Sequence, residues 1–200
     1  MGETDYRISL RLEAPKVDPE AWVAPGALLI GRITVRRGAS IWYGCVVRSD
    51  FEGAEIVIGE DTNIQDGTLV HVDVDSPCLV GSRVTVGHGA ILHAATIEDD
   101  CLIGMGAVVL TGARVGHGAV VAAGALVPEG AVIPPGELVA GIPAKVRREV
   151  TDSDRAMMEH GWGVYARLKE VHRKETREAG GRGAAGAPSG KPSSPDPEAG

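Results

Sequence analysis

A six-residue repeat runs through most of this chain and constrains its fold more than any other feature. Each repeat has an aliphatic residue at its first position and a small residue at its fifth, in the pattern V/I/L-G-x-x-A/T-x. An α-helix would scatter these side chains around its axis, whereas a six-residue period is typical of β-helices, so the sequence predicts an all-β solenoid. The aliphatic positions are Val23, Leu29, Val35, Ile41, Val47, Ile58, Ile64, Val70, Val80, Val86, Leu92, Ile97, Ile103, Val109, Val115, Val121, Val127, Ile133 and Val139.

The repeat also predicts how the chain is organised. Three hexapeptides form one triangular coil of about 18 residues, with aliphatic side chains inside and small residues at the corners. An irregular β-sandwich would instead alternate with a period of two between irregularly spaced turns. We predict an N-terminal lead-in over 1–22, the β-helix over 23–145, a C-terminal helix over 146–178 that packs on the solenoid, and a disordered Gly/Ala/Pro/Ser tail over 179–200.

The predicted C-terminal helix has a recognisable start and an apolar stripe. Thr151 or Ser153 can cap it, and acidic residues follow in the first turn. Apolar side chains then recur at helical spacing, and we expect them to dock on the solenoid. They are Met157, Met158, Trp162, Tyr165, Leu168 and Val171.

Composition excludes several classes of partner. The net charge of -7 argues against a nucleic-acid groove, which needs a basic face. The chain lacks an apolar run long enough to span a membrane, and its start does not resemble a secretory signal. Cys45 and Cys101 hold small inward positions and Cys78 precedes a repeat, so packing explains them better than disulfides. We therefore expect a cytoplasmic protein with no membrane or nucleic-acid partner.

Three histidines with the spacing H-x16-H-x4-H depart from the repeat. His71 and His93 replace the small residue that is usual at position two. Assigning successive hexapeptides to the three sides of each coil in turn, which we call the count of sides, places both histidines on one face, about 5 Å apart. Two neutral imidazoles in this arrangement could share a metal ion. His88 falls on a different side and could reach that ion only in a neighbouring chain, if three solenoids pack side by side. His117 points to a third side and is interpreted as a surface histidine.

Other polar residues occupy position two in the same stretch of chain. By the same count, Arg48 and Gln65 stack on one another, on the side that bears His88. His160 and His172 lie on the predicted helix, where no special role is assigned to them.

Three segments resemble the gamma-class carbonic anhydrase family: I-W-Y-G-C-V-V-R-S-D, N-I-Q-D-G-T-L-V-H-V and V-G-H-G-A-I-L-H. The resemblance covers roughly residues 10 to 175. It implies a left-handed parallel β-helix, a homotrimer, and a metal ion at each subunit interface, with His71 and His93 from one chain and His88 from its neighbour. The metal would be Zn²⁺, with Fe²⁺ or Co²⁺ as alternatives.

The same resemblance assigns roles to five further residues. Gln65 matches the residue that hydrogen-bonds the metal-bound hydroxide, and Asn63 supports it. Arg48, Asp50 and Asp66 match an ion-pair network across the trimer interface. The implied reaction is the reversible hydration of CO2 to bicarbonate by that hydroxide.

The chain lacks residues that other members of this family carry for the proton-transfer step. Phe51 follows Asp50 where those members have glutamate, and the acidic loop after His71 is shortened to VDVDSPC. Asp73 and Asp75 are the nearest candidates for a substitute proton shuttle. The chain resembles the short branch of the family, and we expect weak activity.

Two alternative functions stay open at this point. A hexapeptide-repeat acyltransferase shares the solenoid and the A-G-I-P-A-K-V ending. Such an enzyme uses one histidine base and an acyl-CoA groove without metal, which leaves a three-histidine set unexplained. The second alternative is a non-catalytic scaffold of the same family that keeps its metal site.

Overall fold

Twenty-one short strands and one long helix make up the structure, a computed structural model that describes residues 13–51 and 53–183. The strands form three parallel sheets that wind around a common interior as a parallel β-helix. We call the sheets the first, second and third faces, in the order in which the chain visits them. From β1 to β20, the strands pair in parallel with the equivalent strands of adjacent coils, as the six-residue period predicts.

The three faces have the following members. The first face contains β1 (Lys16–Val17), β4 (Ile33–Val35), β7 (Ile56–Ile58), β10 (Cys78–Val80), β13 (Thr96–Ile97), β16 (Arg114–Val115) and β19 (Val132–Ile133). The second face contains β2 (Trp22–Val23), β5 (Ser40–Ile41), β8 (Asn63–Ile64), β11 (Thr85–Val86), β14 (Leu102–Ile103), β17 (Val120–Val121), β20 (Glu137–Ala140) and β21 (Lys145–Glu149). The third face contains β3 (Leu28–Gly31), β6 (Val46–Ser49), β9 (Leu69–His71), β12 (Ile91–His93), β15 (Val108–Val109) and β18 (Leu126–Val127).

The core is the narrow interior of this prism. Aliphatic residues at position one fill it, and small residues at position five close its corners, as the sequence predicts. The three cysteines are unpaired and buried, so they serve packing rather than cross-linking. Burial raises the pKa of Cys45 and of Cys78 to about 11, and that of Cys101 to about 12, which keeps all three thiols protonated.

Departures from the regular repeat are concentrated at the corner between the third and first faces, over residues 49–55 and 72–77. Leu29 pairs with Val47, 18 positions later, but Val47 pairs with Val70, 23 positions later. Five extra residues are therefore accommodated there between β6 and β7, and the segment after β9 is lengthened as well. We call this the insertion corner.

The C-terminal end differs from the predicted bounds. A short strand, β21, turns back antiparallel to β20, and helix α1 (Asp152–Gly183) begins after it rather than at residue 146. Thr151 caps the helix: its hydroxyl accepts from the Asp154 N–H at 3.3 Å, and its own N–H donates to the Asp154 carboxylate at 2.8 Å. The helix extends beyond the predicted end at 178. The remainder of the predicted tail, 184–200, lies outside the described residues.

The N-terminal boundary also differs. β1 already pairs with β4, so the sheet structure starts at Lys16, inside the predicted lead-in over 1–22. The sequence pattern missed this strand because only one aliphatic residue, Val17, marks it.

Helix α1 lies along the second face and uses part of the predicted stripe, since Met158 is buried and Tyr165 packs on Trp42. Met158 and Lys169 are buried there, and the Lys169 ammonium donates to the Gly38 carbonyl at 2.9 Å. Met157, Leu168 and Val171, which the stripe assigned to the interface, are exposed. The apolar pattern missed Lys169, because the solenoid presents backbone carbonyls to which a lysine ammonium can donate while its methylene stem packs.

Aromatic rings fix the C-terminal part of the helix. The His172 ring lies 5.1 Å from Trp42 and 5.9 Å from Trp22, centroid to centroid, and its Nδ1 is 2.9 Å from the Tyr43 hydroxyl. This histidine, to which the sequence assigned no role, therefore contributes to docking.

No helix among the described residues is long and apolar enough to cross a membrane. The cellular compartment stays a prediction.

Candidate metal centre

His71 and His93 form a pair on the third face, as the count of sides predicts. The two residues are direct partners on β9 and β12. Nδ1 of His71 lies 3.2 Å from Nε2 of His93, and the ring centroids are 5.1 Å apart. Neighbouring strands thus bring two imidazole nitrogens together without any loop.

The outer nitrogens of this pair are also engaged. His71 donates from Nε2 to the Asp50 carboxylate at 2.8 Å, and Nδ1 of His93 lies 2.9 Å from the Thr111 hydroxyl. A hydroxyl can donate or accept, so Thr111 suits either tautomer of His93. Metal-binding histidines usually have their second nitrogen held in this way, which orients the ring. Thr111 could not be singled out from the sequence, because no feature of the repeat marks it.

Asp50 is held between Arg48 and His71. Burial opposes ionisation of its carboxyl, but the hydrogen bond from His71 and the nearby charge of Arg48 together lower the pKa of Asp50 below its usual value. The Asp50 side chain is therefore a carboxylate at neutral pH. The Arg48–Asp50 ion pair is formed within one chain.

The predicted stacking of Arg48 on Gln65 is wrong. Arg48 is the direct partner of His71 on the third face, whereas Gln65 follows β8 on the second face. The count of sides failed because it treated the step from Val47 to Ile64 as one coil. The five residues inserted after β6 instead delay the next third-face strand to Val70.

His88 lies at the corner between the second and third faces. We call this the His88 corner; its members, one from each successive coil, are Tyr43, Asp66, His88 and Met105. Nδ1 of His88 lies 3.1 Å from the Asp66 carboxylate, and Nε2 lies 3.2 Å from the Tyr165 hydroxyl of α1. The imidazole is nearly half exposed. Burial, and then the charge of Asp66, raise the pKa of Tyr165, so its hydroxyl stays protonated and can donate to His88.

Gln65 and Asn63 form a buried polar chain beside this corner. Gln65 donates from Nε2 to Asn63 Oδ1 at 3.0 Å, and Asn63 donates from Nδ2 to the Thr85 hydroxyl at 2.9 Å. Both amides are almost fully buried. These bonds orient both amides, and no hydrogen bond from the described residues occupies the carboxamide oxygen of Gln65, which can accept one.

The remaining candidates lie elsewhere. His117 lies at the corner between the first and second faces, near Arg83 and Asp100, and its side chain is 63% exposed, which agrees with a surface histidine. Asp73 and Asp75 lie at the insertion corner, where the Asp73 carboxylate accepts the Val74 N–H at 2.8 Å.

The donor set fits one part of a metal site. Two ligands held about 2.0–2.1 Å from a tetrahedral ion are about 3.3–3.4 Å apart, close to the 3.2 Å between the His71 and His93 nitrogens. Within residues 13–51 and 53–183, however, a single chain brings together no group of three His, Cys, Asp or Glu side chains suited to a metal. His71 and His93 could hold the ion only with a further donor, and His88 lies at the opposite edge of the face.

Comparisons with known proteins agree with this architecture. Residues 94–129 match the family model "Bacterial transferase hexapeptide (six repeats)". A Bacillus cereus structure provisionally named an acetyltransferase is 39% identical, with a TM-score of 0.77, over 80% of this chain and 92% of that one. Gamma carbonic anhydrase 1 of Arabidopsis thaliana mitochondria is 44% identical over 82% of this chain. A carbonic anhydrase of Geobacillus kaustophilus is 44% identical over 74% of this chain and 80% of its own length.

These similarities identify both the fold class and the family of the protein. The protein is a hexapeptide-repeat, left-handed parallel β-helix with a single C-terminal helix, which confirms the predicted fold class. It belongs to the gamma carbonic anhydrase family. The matched region spans 61% of the length of the Arabidopsis protein.

Proposed function

We propose that this protein catalyses the reversible hydration of CO2 to bicarbonate at a metal site shared between subunits of a homotrimer. The observation that carries the proposal is the His71–His93 pair. Its nitrogens are spaced for one ion, its outer nitrogens are held by Asp50 and Thr111, and the described part of the same chain brings no third ligand near. His88 of a second subunit is the natural third ligand.

The donor set also indicates the type of metal. Imidazole nitrogens suit Zn²⁺, and Fe²⁺ or Co²⁺ as well. Three neutral imidazoles would leave such an ion its full charge, and the chemistry it would supply is a water of lowered pKa, about 7, that can act as a nucleophile at neutral pH.

The chain's own residues position the reactants around that ion. Asp50 and Thr111 hold the rings of His71 and His93 in place. Gln65, fixed by Asn63, presents its free carboxamide oxygen, which can accept a hydrogen bond from water and orient it. These roles follow the family pattern in which Gln65 and Asn63 act together.

Threefold symmetry is the simplest way to complete every site. A contact that joins one edge of a chain to a different edge of the next is heterologous, and it closes only as a ring. The third face and the His88 corner also expose apolar side chains suited to such a contact: Leu28, Leu69 and Met105. Arg48, Asp50 and Asp66 lie at the two edges that would meet, and we propose that they add charge complementarity to the interface.

Mixing two inactive variants tests the shared site. We expect His93→Ala and His88→Ala chains, each alone, to lose stoichiometric metal and CO2 hydration. Co-refolded in equal amounts, they should regain roughly one site in four, because a mixed trimer rebuilds one intact site from the two chains. Metal analysis and CO2 hydration on the same oxygen-free sample provide the readout. Full metal content in His88→Ala alone would refute the proposal.

Two alternatives are outcomes of related assays. The name of the 39% identical Bacillus cereus structure keeps acyl transfer as a second candidate. Acetyl-CoA-dependent acylation of an amine or hydroxyl that survives removal of metal and the His71→Ala substitution would favour it. A trimer with full metal and no CO2 hydration, even with added buffer, would favour the non-catalytic scaffold.

A further inference from the structure

One flank of helix α1 is apolar and exposed. Met157, Leu168 and Val171 leave 52%, 38% and 52% of their surfaces open to solvent, although they lie on a helix that is docked along the solenoid. Apolar stripes of this kind mark contact surfaces. We call these three residues the outer stripe.

The outer stripe faces the His88 corner. On the opposite flank, Arg155, Glu159 and Trp162 line a cavity of about 290 Å³ against the corner that carries Arg83 and Asp100. Successive helical residues are separated by about 100°, which places the outer stripe and this cavity on opposite sides of the inward-facing Tyr165. Tyr165 itself contacts His88. The stripe is therefore continuous with the edge that presents His88.

A second exposed apolar group is Phe51, at the insertion corner. Its ring is 40% exposed and lies 5.8 Å from the ring of His71. Phe51 and the outer stripe are at opposite edges of the third face, so they do not cover each other within one chain.

Phe51 and Leu168 lie at the same height along the solenoid. Phe51 follows β6 of the second coil and contacts His71 of the third coil. On the helix, Tyr165 packs against Trp42 of the second coil and reaches His88 of the fourth, whereas His172 packs against the first two coils. Leu168 lies between Tyr165 and His172, which is level with the second and third coils.

We propose that Phe51 of each subunit packs against Leu168 and Val171 of the neighbouring subunit. The proposal rests on the shared metal site of the proposed function. If His88 of one chain completes the His71–His93 pair of another, then groups that contact His71 approach groups that contact His88. In a ring closed about an axis parallel to the solenoids, equivalent residues of all subunits lie at the same height. Phe51 of one subunit and Leu168 of the next, which share a height, then meet.

In this arrangement both Phe51 and α1 contribute to assembly of the trimer. Phe51 occupies the position at which fully equipped relatives carry glutamate, so an apolar contact replaces a proton carrier there. The helix then lies in the subunit interface at the edge of the site rather than only covering its own solenoid.

Cysteine cross-linking tests this contact. The variant Phe51→Cys/Leu168→Cys is treated with a flexible bis-maleimide, which does not require the strict geometry of a disulfide. Its matched control is Phe51→Cys/Glu159→Cys, with the second cysteine on the cavity flank, and each single variant is treated in parallel. The native thiols are buried and have raised pKa values, so they do not compete. The substituted positions are only partly buried or exposed, and circular dichroism checks that each variant folds.

We expect covalent dimers and trimers from the 51/168 pair on a denaturing gel. They should form about 10²-fold or more faster than from the 51/159 pair, because only thiols that lie within the span of the linker react at a high effective concentration. Equal rates for the two pairs, or no cross-link in protein that sediments as a metal-bound trimer, would overturn the Phe51–helix contact while leaving the shared site intact. A wild-type chain that sediments as a monomer would refute both.

Discussion

The two parts of the proposed metal site are built in different ways. His71 and His93 project from adjacent strands over a fully buried core, and each has its second nitrogen held by a fixed neighbour. His88 lies on a turn, nearly half exposed, between a surface carboxylate and a hydroxyl from the docked helix. One part is fixed by the sheet, and the other depends on a corner and on α1.

This difference suggests a division of roles. The His71–His93 pair is preorganised in a single chain, so it costs little further ordering when a metal binds. The third ligand arrives only with a second subunit. Metal affinity should therefore be linked to assembly, since whatever binds only the trimer also stabilises the trimer.

The largest expected effect comes from removing a ligand of the fixed pair. His71→Ala should abolish stoichiometric metal at every protein concentration, whereas wild-type protein should lose metal only when dilution dissociates it. Metal content measured across a dilution series, with sedimentation on the same samples, separates the two behaviours. His117→Ala is the control and should retain metal. A wild-type monomer with full metal would show that the two parts need not meet.

The next largest effect concerns the proton released during turnover. Among the described residues of the two parts, the carboxylates are already engaged, because Asp50 is paired with Arg48 and His71, and Asp66 contacts His88. A positioned acid–base group typically contributes about 10²–10⁴-fold, so CO2 hydration should be slow in dilute buffer and rise steeply with added imidazole. Asp73→Asn should change little at high buffer concentration. Fast turnover that ignores buffer would reveal an internal relay.

Removing the groups that orient the imidazoles should have an intermediate effect. Asp50→Asn should weaken metal affinity about 10–100-fold, as is typical of such partners. Asp66→Asn should weaken it less, because the His88–Asp66 pair is exposed to solvent. Competition with a metal chelator measures both, and Asp75→Asn is the control. A larger loss for Asp66→Asn would reverse the comparison.

The smallest effects concern stability around His88. Asn63→Ala strands the buried Gln65 amide and Thr85 hydroxyl and should lower the free energy of unfolding by about 1–3 kcal/mol. Tyr165→Phe removes one partly exposed hydrogen bond and should cost about 0.5–1.5 kcal/mol or less. Urea denaturation of metal-free protein gives both values. The ranking fails if Tyr165→Phe is the more damaging substitution.

The sequence predicted the fold and the fixed pair because both follow from counting. A strict period determines which residues face inward, and His71 and His93 lie in regular coils separated by one lengthened segment that the count included. Arg48 was misplaced for the opposite reason. The longer segment after β6 contains no aliphatic marker of its own, so the count of sides lost one step there.

Contacts between distant segments had no comparable signal. The pairing of Tyr165 with His88 depends on how α1 crosses the second face, and no local pattern encodes that crossing. The docking surface was assigned from apolar spacing, but Lys169 and His172 are held by a backbone carbonyl and by aromatic rings. Thr111 likewise matters only because a neighbouring coil places it beside His93.

The insertion corner has a consequence for how this scaffold can change. A longer turn at the His88 corner would move His88 away from the edge of the third face, and a longer turn near Arg83 would meet helix α1. The insertion corner already tolerates segments of different length while the strands on either side keep their register. Doubling the length of such a loop costs only about 0.6 kcal/mol. New loops can therefore be grafted there to redesign the rim of the site, while both histidine-bearing strands stay where they are.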